Sequence, residues 1–127
     1  MHDPRYPLII SYISLGHIAQ GTNNFQTISK VFDETDGKEM DAPVFDKVFA
    51  GVENSPDSSV MHTILLDKEG RAYATGSNSK GQLCLGDESD RLIPTMINLD
   101  GVRIVDVAIG GEHTLLLDDD GNVFGCG

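Results

Sequence analysis

Basic residues are scarce. Nine Lys and Arg stand against twenty Asp and Glu, a formal net charge of −11, and no two basic residues are adjacent. No basic stripe exists to follow a phosphate backbone or to hold an anionic bilayer, which argues against direct nucleic-acid binding and electrostatic membrane docking. The acidic surplus reads as a solvated surface. Long apolar runs are also missing, so no segment reads as a membrane-spanning helix. The apolar stretch 8–15 is interrupted by Ser11, Tyr12 and Ser14 and preceded by Asp3, where a signal peptide carries positive charge. It reads as a strand. Cysteine is nearly absent: Cys84 and Cys126 lie 42 residues apart, which is neither a disulfide framework nor a metal-ligand spacing. With no Asn-x-Ser/Thr sequon, the expected compartment is reducing and intracellular, cytoplasmic or nuclear.

Catalytic signatures are absent as well. There is no G-x-S-x-G, no H-E-x-x-H and no C-x-x-C, and Glu112-His113 lacks a second histidine. The G-x-x-x-x-G spacing from Gly76 to Gly81 is followed by Gln82 and Leu83, where a phosphate loop needs Lys and a hydroxyl residue. In the acidic stretch 33–39, taking Gly37 as the sixth position of a calcium loop places Phe32 at the first, where Asp is required. The expectation is therefore a non-enzyme without cofactor or metal.

What is abundant is glycine, and eleven of the fourteen glycines lie from Gly51 onward. A shift of 51 residues explains this texture. His62 falls on His113, Gly70 on Gly121 and Gly76 on Gly127, and HTILLDKEGRAYATG overlies HTLLLDDDGNVFGCG with seven identities. Such a period lies in the range of propeller repeats. The match extends back to Val48-Phe49-Ala50-Gly51 over Val107-Ala108-Ile109-Gly110, provided the earlier copy carries eight extra residues. The polar, proline-containing segment 54–59 fits that insertion and is expected to loop out at a rim.

Within each copy, two short runs rich in β-branched, aromatic and aliphatic residues flank Asp67-Lys68-Glu69-Gly70 or Asp118-Asp119-Asp120-Gly121. This predicts hairpins whose Asp bonds backbone N–H groups ahead of it and whose Gly supplies positive φ. The hairpin also explains the Asp118–Asp120 run better than a metal does. Ile64-Leu65-Leu66, Leu115-Leu116-Leu117 and Val107-Ala108-Ile109 are apolar on successive positions, so strands buried on both faces are expected, as in stacked blades.

The run from Tyr73 through Gly76-Ser77-Asn78, Gly81-Gln82-Leu83, Leu85-Gly86-Asp87, Arg91, Pro94, Gly110-Gly111, His113-Thr114 and Asp120-Gly121 to Phe124 resembles the regulator of chromosome condensation repeat. That family builds seven-bladed propellers. Cys84 stands where the family usually has Gly, and Cys126 where it often has Trp; small packed residues are expected at both. The resemblance implies an all-β fold, an incomplete β-propeller with about two blades of antiparallel four-stranded sheet. Seven blades need roughly 350 residues, so the chain reads as a piece of a longer propeller or a truncated product.

The expected organisation is a degenerate N-terminal segment, 1–42, with a strand at 8–15. Repeats follow over 43–127, with their junction near 76. The expected role is a protein-interaction module that takes further blades of a longer chain, a second copy or another protein partner. The resemblance also raises an exchange factor for a Ran-type small GTPase, and the regulatory propeller of a larger enzyme such as a ubiquitin ligase. His62 and His113 have two readings: contact residues on a propeller face, or imidazoles bonding a neighbouring loop once per blade. Asp87 is a loop residue of the same double status.

Overall fold

The computed structural model describes residues 28–51 and 61–127. The strand expected at 8–15 and the 54–59 insertion lie outside the described residues. Among the described residues there are nine strands: β1 (Lys30–Asp33), β2 (Lys38–Asp41), β3 (Phe45–Ala50), β4 (His62–Asp67), β5 (Ala72–Gly76), β6 (Arg91–Met96), β7 (Ile104–Ile109), β8 (Thr114–Asp118) and β9 (Val123–Cys126). They form two sheets, ordered β2-β1-β6-β5-β4-β3 and β7-β8-β9.

The repeat is visible in the hydrogen bonding. In the first copy Asp67 Oδ1 accepts the N–H groups of Glu69 and Arg71 at 2.9 and 3.0 Å, and Gly70 has φ +79°. In the second, Asp118 Oδ1 accepts those of Asp120 and Asn122 at 3.0 and 2.7 Å, and Gly121 has φ +88°. The expected Asp-to-Gly turn is thus built twice, and glycine is needed because side chains are strained at that φ. The Gly51 N–H donates to the His62 carbonyl at 2.9 Å, and the Gly110 N–H to the His113 carbonyl at 3.0 Å. The inserted residues therefore leave the pairing intact on both sides. Even a register shift recurs, between Phe45 and Lys47 in β3 and between Ile104 and Asp106 in β7.

Two features differ from the four-stranded expectation. The second sheet has three strands among the described residues. The first has six, because residues 30–41, which the sequence reading left without an element, form a hairpin whose β1 joins β6 in parallel through Phe32 and Thr95. Asp33 Oδ1 accepts the Thr35 N–H at 2.9 Å and Gly37 has φ +70°, so the same turn chemistry operates here. The outermost strand, β2, is KEMD, with three charged residues of four. That suits an edge, where charge opposes pairing with another chain.

The sheets stack through one apolar cluster. Ile64, Leu66, Ala72 and Ala74 of the first meet Ile104, Val107 and Leu116 of the second, with Leu83 and Ile97 of the connecting segment between them. The other face of the first sheet is covered too: Leu65 and Tyr73 are buried with Val31 of the hairpin, and Ile28, Met40, Ala42 and Phe45 pack around them. Among the described residues nothing covers the outer face of β7–β9. Leu115 is 44% and Val123 64% exposed, whereas their repeat equivalents Ile64 and Ala72 are at 0% and 2%. Burial of Leu115-Leu116-Leu117 on both faces is thus corrected: Leu116 is inside and Leu115 is not. Among the described residues, then, one outer face is bare and the other is covered by residues 28–45.

Candidate functional site

The blade junction concentrates the polar chemistry. β4 begins at His62 and β8 at Thr114, and stacking of the sheets brings these two residues together. His62 Nε2 lies 2.7 Å from Thr114 Oγ1, and Thr114 Oγ1 donates to the Gln82 carbonyl at 2.6 Å. A hydroxyl has one proton. Since Thr114 gives it to Gln82, it accepts from His62, which fixes the Nε2–H tautomer. Nδ1 then carries the lone pair. Among the described residues, His62 Nδ1 and Gln82 Nε2 are buried without a hydrogen-bond partner. Burial is the main reason the imidazole pKa falls to about 4, against an upward pull from the His113 backbone. His62 is therefore neutral at pH 7 and ties one blade to the next.

His113 occupies the equivalent place in the second blade and is exposed. Its ring lies over Gly110, where a Cβ would overlap it. Gly51 stands in the matching position beside His62, and a Cβ there would lie 2.6 Å from Ile109 Cγ2 and 3.5 Å from His62 Cε1. Both histidines thus sit above a glycine, but among the described residues only His62 has a following sheet to bond.

The connection 77–90 is organised by Asn78, which is fully buried. Its Nδ2 donates to the Asp87 and Ser89 carbonyls and to Asp87 Oδ1 at 2.9–3.0 Å. Its Oδ1 accepts the Leu83 N–H at 3.0 Å, and its own N–H donates to Asp90 Oδ1 at 2.8 Å. Asp87 is paired with Arg91 through Nη2–Oδ2 at 2.7 Å and Nη1–Oδ1 at 3.1 Å. The Arg91 side chain and the Ser89 N–H hold the Asp87 carboxyl below its usual pKa. Arg91 also reaches Glu34 in the β1–β2 turn at 3.0 Å, which latches the hairpin to the blade. Asp87 is engaged within this loop, and its partners do not include the histidines.

The turn aspartates differ in a revealing way. Asp67 Oδ2 accepts Arg71 Nε at 2.7 Å and the Tyr73 hydroxyl at 3.0 Å. Burial alone would raise this carboxyl, but Arg71, Tyr73 and the turn N–H groups outweigh it and its pKa is lowered. Asp118 Oδ2 accepts only the Asn122 amide there, at 3.0 Å, because Phe124 replaces Tyr73. In both copies the carboxylate completes a turn, and no group of three or more metal-ligating side chains occurs among the described residues.

Cys84 and Cys126 form a disulfide, with Cα atoms 5.4 Å apart. This corrects the reading of the pair as unlinked small residues. Spacing along the chain says nothing about a contact made by stacking: the loop of one blade lies against the last strand of the next. Cys84 has φ +59°, a value glycine adopts more easily. Sequence reasoning also missed Thr114, Gln82, Asn78 and the Arg91–Glu34 latch. The repeated His-Thr dipeptide, His62-Thr63 and His113-Thr114, was the available signal for the first.

Two stacked antiparallel sheets, joined blade to blade and repeating one turn chemistry, define an all-β repeat protein of the β-propeller type, here an incomplete one. Residues 69–117 match the family described as Regulator of chromosome condensation (RCC1) repeat. The Ultraviolet-B receptor UVR8 of Arabidopsis thaliana is 42% identical over 67 residues, which is 52% of this chain and 15% of that protein. The human Regulator of chromosome condensation is 38% identical over 66 residues, 50% of this chain and 15% of that protein. The human Probable E3 ubiquitin-protein ligase HERC4 is 34% identical over 95 residues, 71% of this chain and 9% of that protein. The chain therefore spans 9% to 15% of the length of these relatives. The crystal structure of human WBSCR16 resembles it in fold, with TM-score 0.55 and 24% identity over 69% of this chain and 22% of that one. Residues 69–117 thus carry the regulator of chromosome condensation repeat.

Proposed function

We propose that this chain is a non-catalytic protein-interaction module, working inside the cell in the cytoplasm or nucleus. The supporting observation is the uncovered outer face of β7–β9. The same face of the preceding blade, carrying His62, Ile64 and Ala72, is buried by a sheet of the same kind. Its counterpart, carrying His113, Leu115 and Val123, fits another blade, whether from further repeats or from a second copy. Repeat units generally need neighbours to cover such faces. Sedimentation velocity on residues 1–127 tests this. Concentration-dependent association is expected, and Leu115→Lys with Val123→Lys should abolish it. A compact 13.7 kDa monomer at all concentrations would overturn the proposal.

A second reading is supported by the likeness to the human Regulator of chromosome condensation and by the exposure of His113: exchange of guanine nucleotide on a Ran-type small GTPase. Such a factor works without covalent chemistry, by binding the nucleotide-free GTPase more tightly than the loaded one. Accelerated GDP release that is lost in His113→Ala would support it, and release at the intrinsic rate would reject it. The likeness to HERC4 supports a third role, as the regulatory propeller of a larger ligase, which requires binding to a catalytic domain measured in trans.

A further inference from the structure

We propose that the Cys84–Cys126 disulfide is a thiol-exchange site at which small-molecule thiols open and close the joint between the two blades. The bond is no part of the repeat itself: the position equivalent to Cys126 in the preceding copy is Thr75. It bolts the connection 77–90, which belongs to the first blade, to β9, the last strand of the second. Both cysteines are half-buried and line an open cleft of about 440 Å³. Asp87, Glu88, Leu99, Leu116 and Phe124 form the rest of that cleft, and its three glycines leave part of the wall without side chains. A small thiol can therefore reach the sulfur atoms without unfolding of the blades, which a disulfide sealed in a core would require.

The surroundings allow the bond to open while the loop keeps its shape. Asn78, Asp87 and Arg91 hold the 77–90 connection through bonds that involve neither cysteine. The His62–Thr114–Gln82 chain and the apolar cluster keep the sheets stacked. What loses its tether is β9, the edge strand of the second sheet, which carries Val123 on the uncovered face. Reduction thus acts on the face proposed to dock another blade, although the exchange itself does not depend on what docks there.

The exchange is balanced. A thiolate attacks one sulfur, the Sγ–Sγ bond breaks, and the other cysteine leaves as a thiolate that takes up a proton. A second thiolate then attacks the small thiol's sulfur in the mixed disulfide and expels the remaining protein cysteine as a thiolate, which takes up a proton. Two molecules of small thiol are oxidised to their disulfide, and the protein disulfide is reduced to two thiols. In a compartment rich in glutathione, an approachable disulfide of this kind is regulatory rather than permanent.

The experiment uses the whole chain, purified without reductant and held in native buffer with glutathione mixtures stepped from fully oxidised to fully reduced. Free thiols are trapped by alkylation and counted by mass, and each sample is melted. The oxidised protein should show no free thiol. Two should appear together as the buffer becomes reducing, without denaturant, and the melting temperature should fall by about 10 °C. The Cys84→Ser/Cys126→Ser double variant should melt at the reduced temperature and ignore the buffer. Two results would overturn the proposal: a disulfide that yields to glutathione only when the protein is unfolded, or two free thiols that persist in the oxidised buffer.

Discussion

Replacing Thr114 by Val tests the junction at its polar centre. The substitution keeps the branched shape and removes one oxygen, so no cavity opens. It leaves the His62 Nε2–H and the Gln82 carbonyl, now 2.7 and 2.6 Å from the hydroxyl, without their partner in a place where Thr114, His62 and Gln82 are all fully buried. A buried donor or acceptor left unpaired costs about 1–3 kcal/mol, and a carbonyl suffers less than an N–H. Two such groups, offset by the extra methyl buried, give a net loss of about 2–3 kcal/mol. Thr114→Ser keeps the hydroxyl and loses a methyl, for about 1 kcal/mol. Urea unfolding of the oxidised chain should show the Val variant with the lower midpoint and an unchanged slope. Nitrogen NMR of His62 in the parent should report the Nε2–H tautomer. A Val variant as stable as the Ser variant, or an Nδ1–H tautomer in the parent, would refute the assignment of the hydroxyl as a relay between blades.

The two turn glycines provide a matched pair. Gly121→Ala meets no atom within 4 Å and suffers only from φ +88°, about 1 kcal/mol, whereas at Gly70 a Cβ would also crowd Arg103 and lie 3.0 Å from the Ile104 carbonyl oxygen; Gly70→Ala should melt lower by a clear margin in calorimetry. For His62, the folded pKa of about 4 lies below the unfolded value near 6.5, so the unfolded chain binds the proton first. Its contribution is complete above about pH 6.5 and is lost as pH falls toward 4, by about 3 kcal/mol in all. Urea midpoints at pH 7 and 4.5 should differ in the parent chain and much less in His62→Gln.

The hairpins of the repeat were legible because their determinants are local. Asp67 and Gly70 act within four residues, as do Asp118 and Gly121, and a shift of 51 lays one pair over the other. The β1–β2 hairpin uses the same turn chemistry at Asp33 and Gly37 but was read as an acidic segment. Its strands expose Lys30, Lys38, Glu39 and Asp41 and bury only Val31 fully, and its parallel pairing with β6 bridges more than sixty residues. Neither fact has a periodic signature. The Cys84–Cys126 bond was illegible for the same reason: its two ends meet only after the blades have stacked.

Leu115 makes the more general point. By residue type it matches Ile64, its strand matches β4, and its cross-strand partner Gly125 matches Ala74. Every local rule therefore assigns it the same burial, yet 44% of it is exposed where Ile64 shows nothing. The difference lies in what stacks on each sheet, since a repeat encodes a surface that is apolar on both faces and leaves the neighbour to decide which face stays dry. The same holds for the polar groups. His62 and His113 occupy one repeat position, and the first becomes a buried neutral bridge only because Thr114 arrives with the next blade. A histidine at this position is therefore a junction residue in any blade that is followed by another. Among the described residues the second sheet has no such neighbour, so the face proposed to dock another blade carries His113, Leu115 and Val123, and His62 is already used.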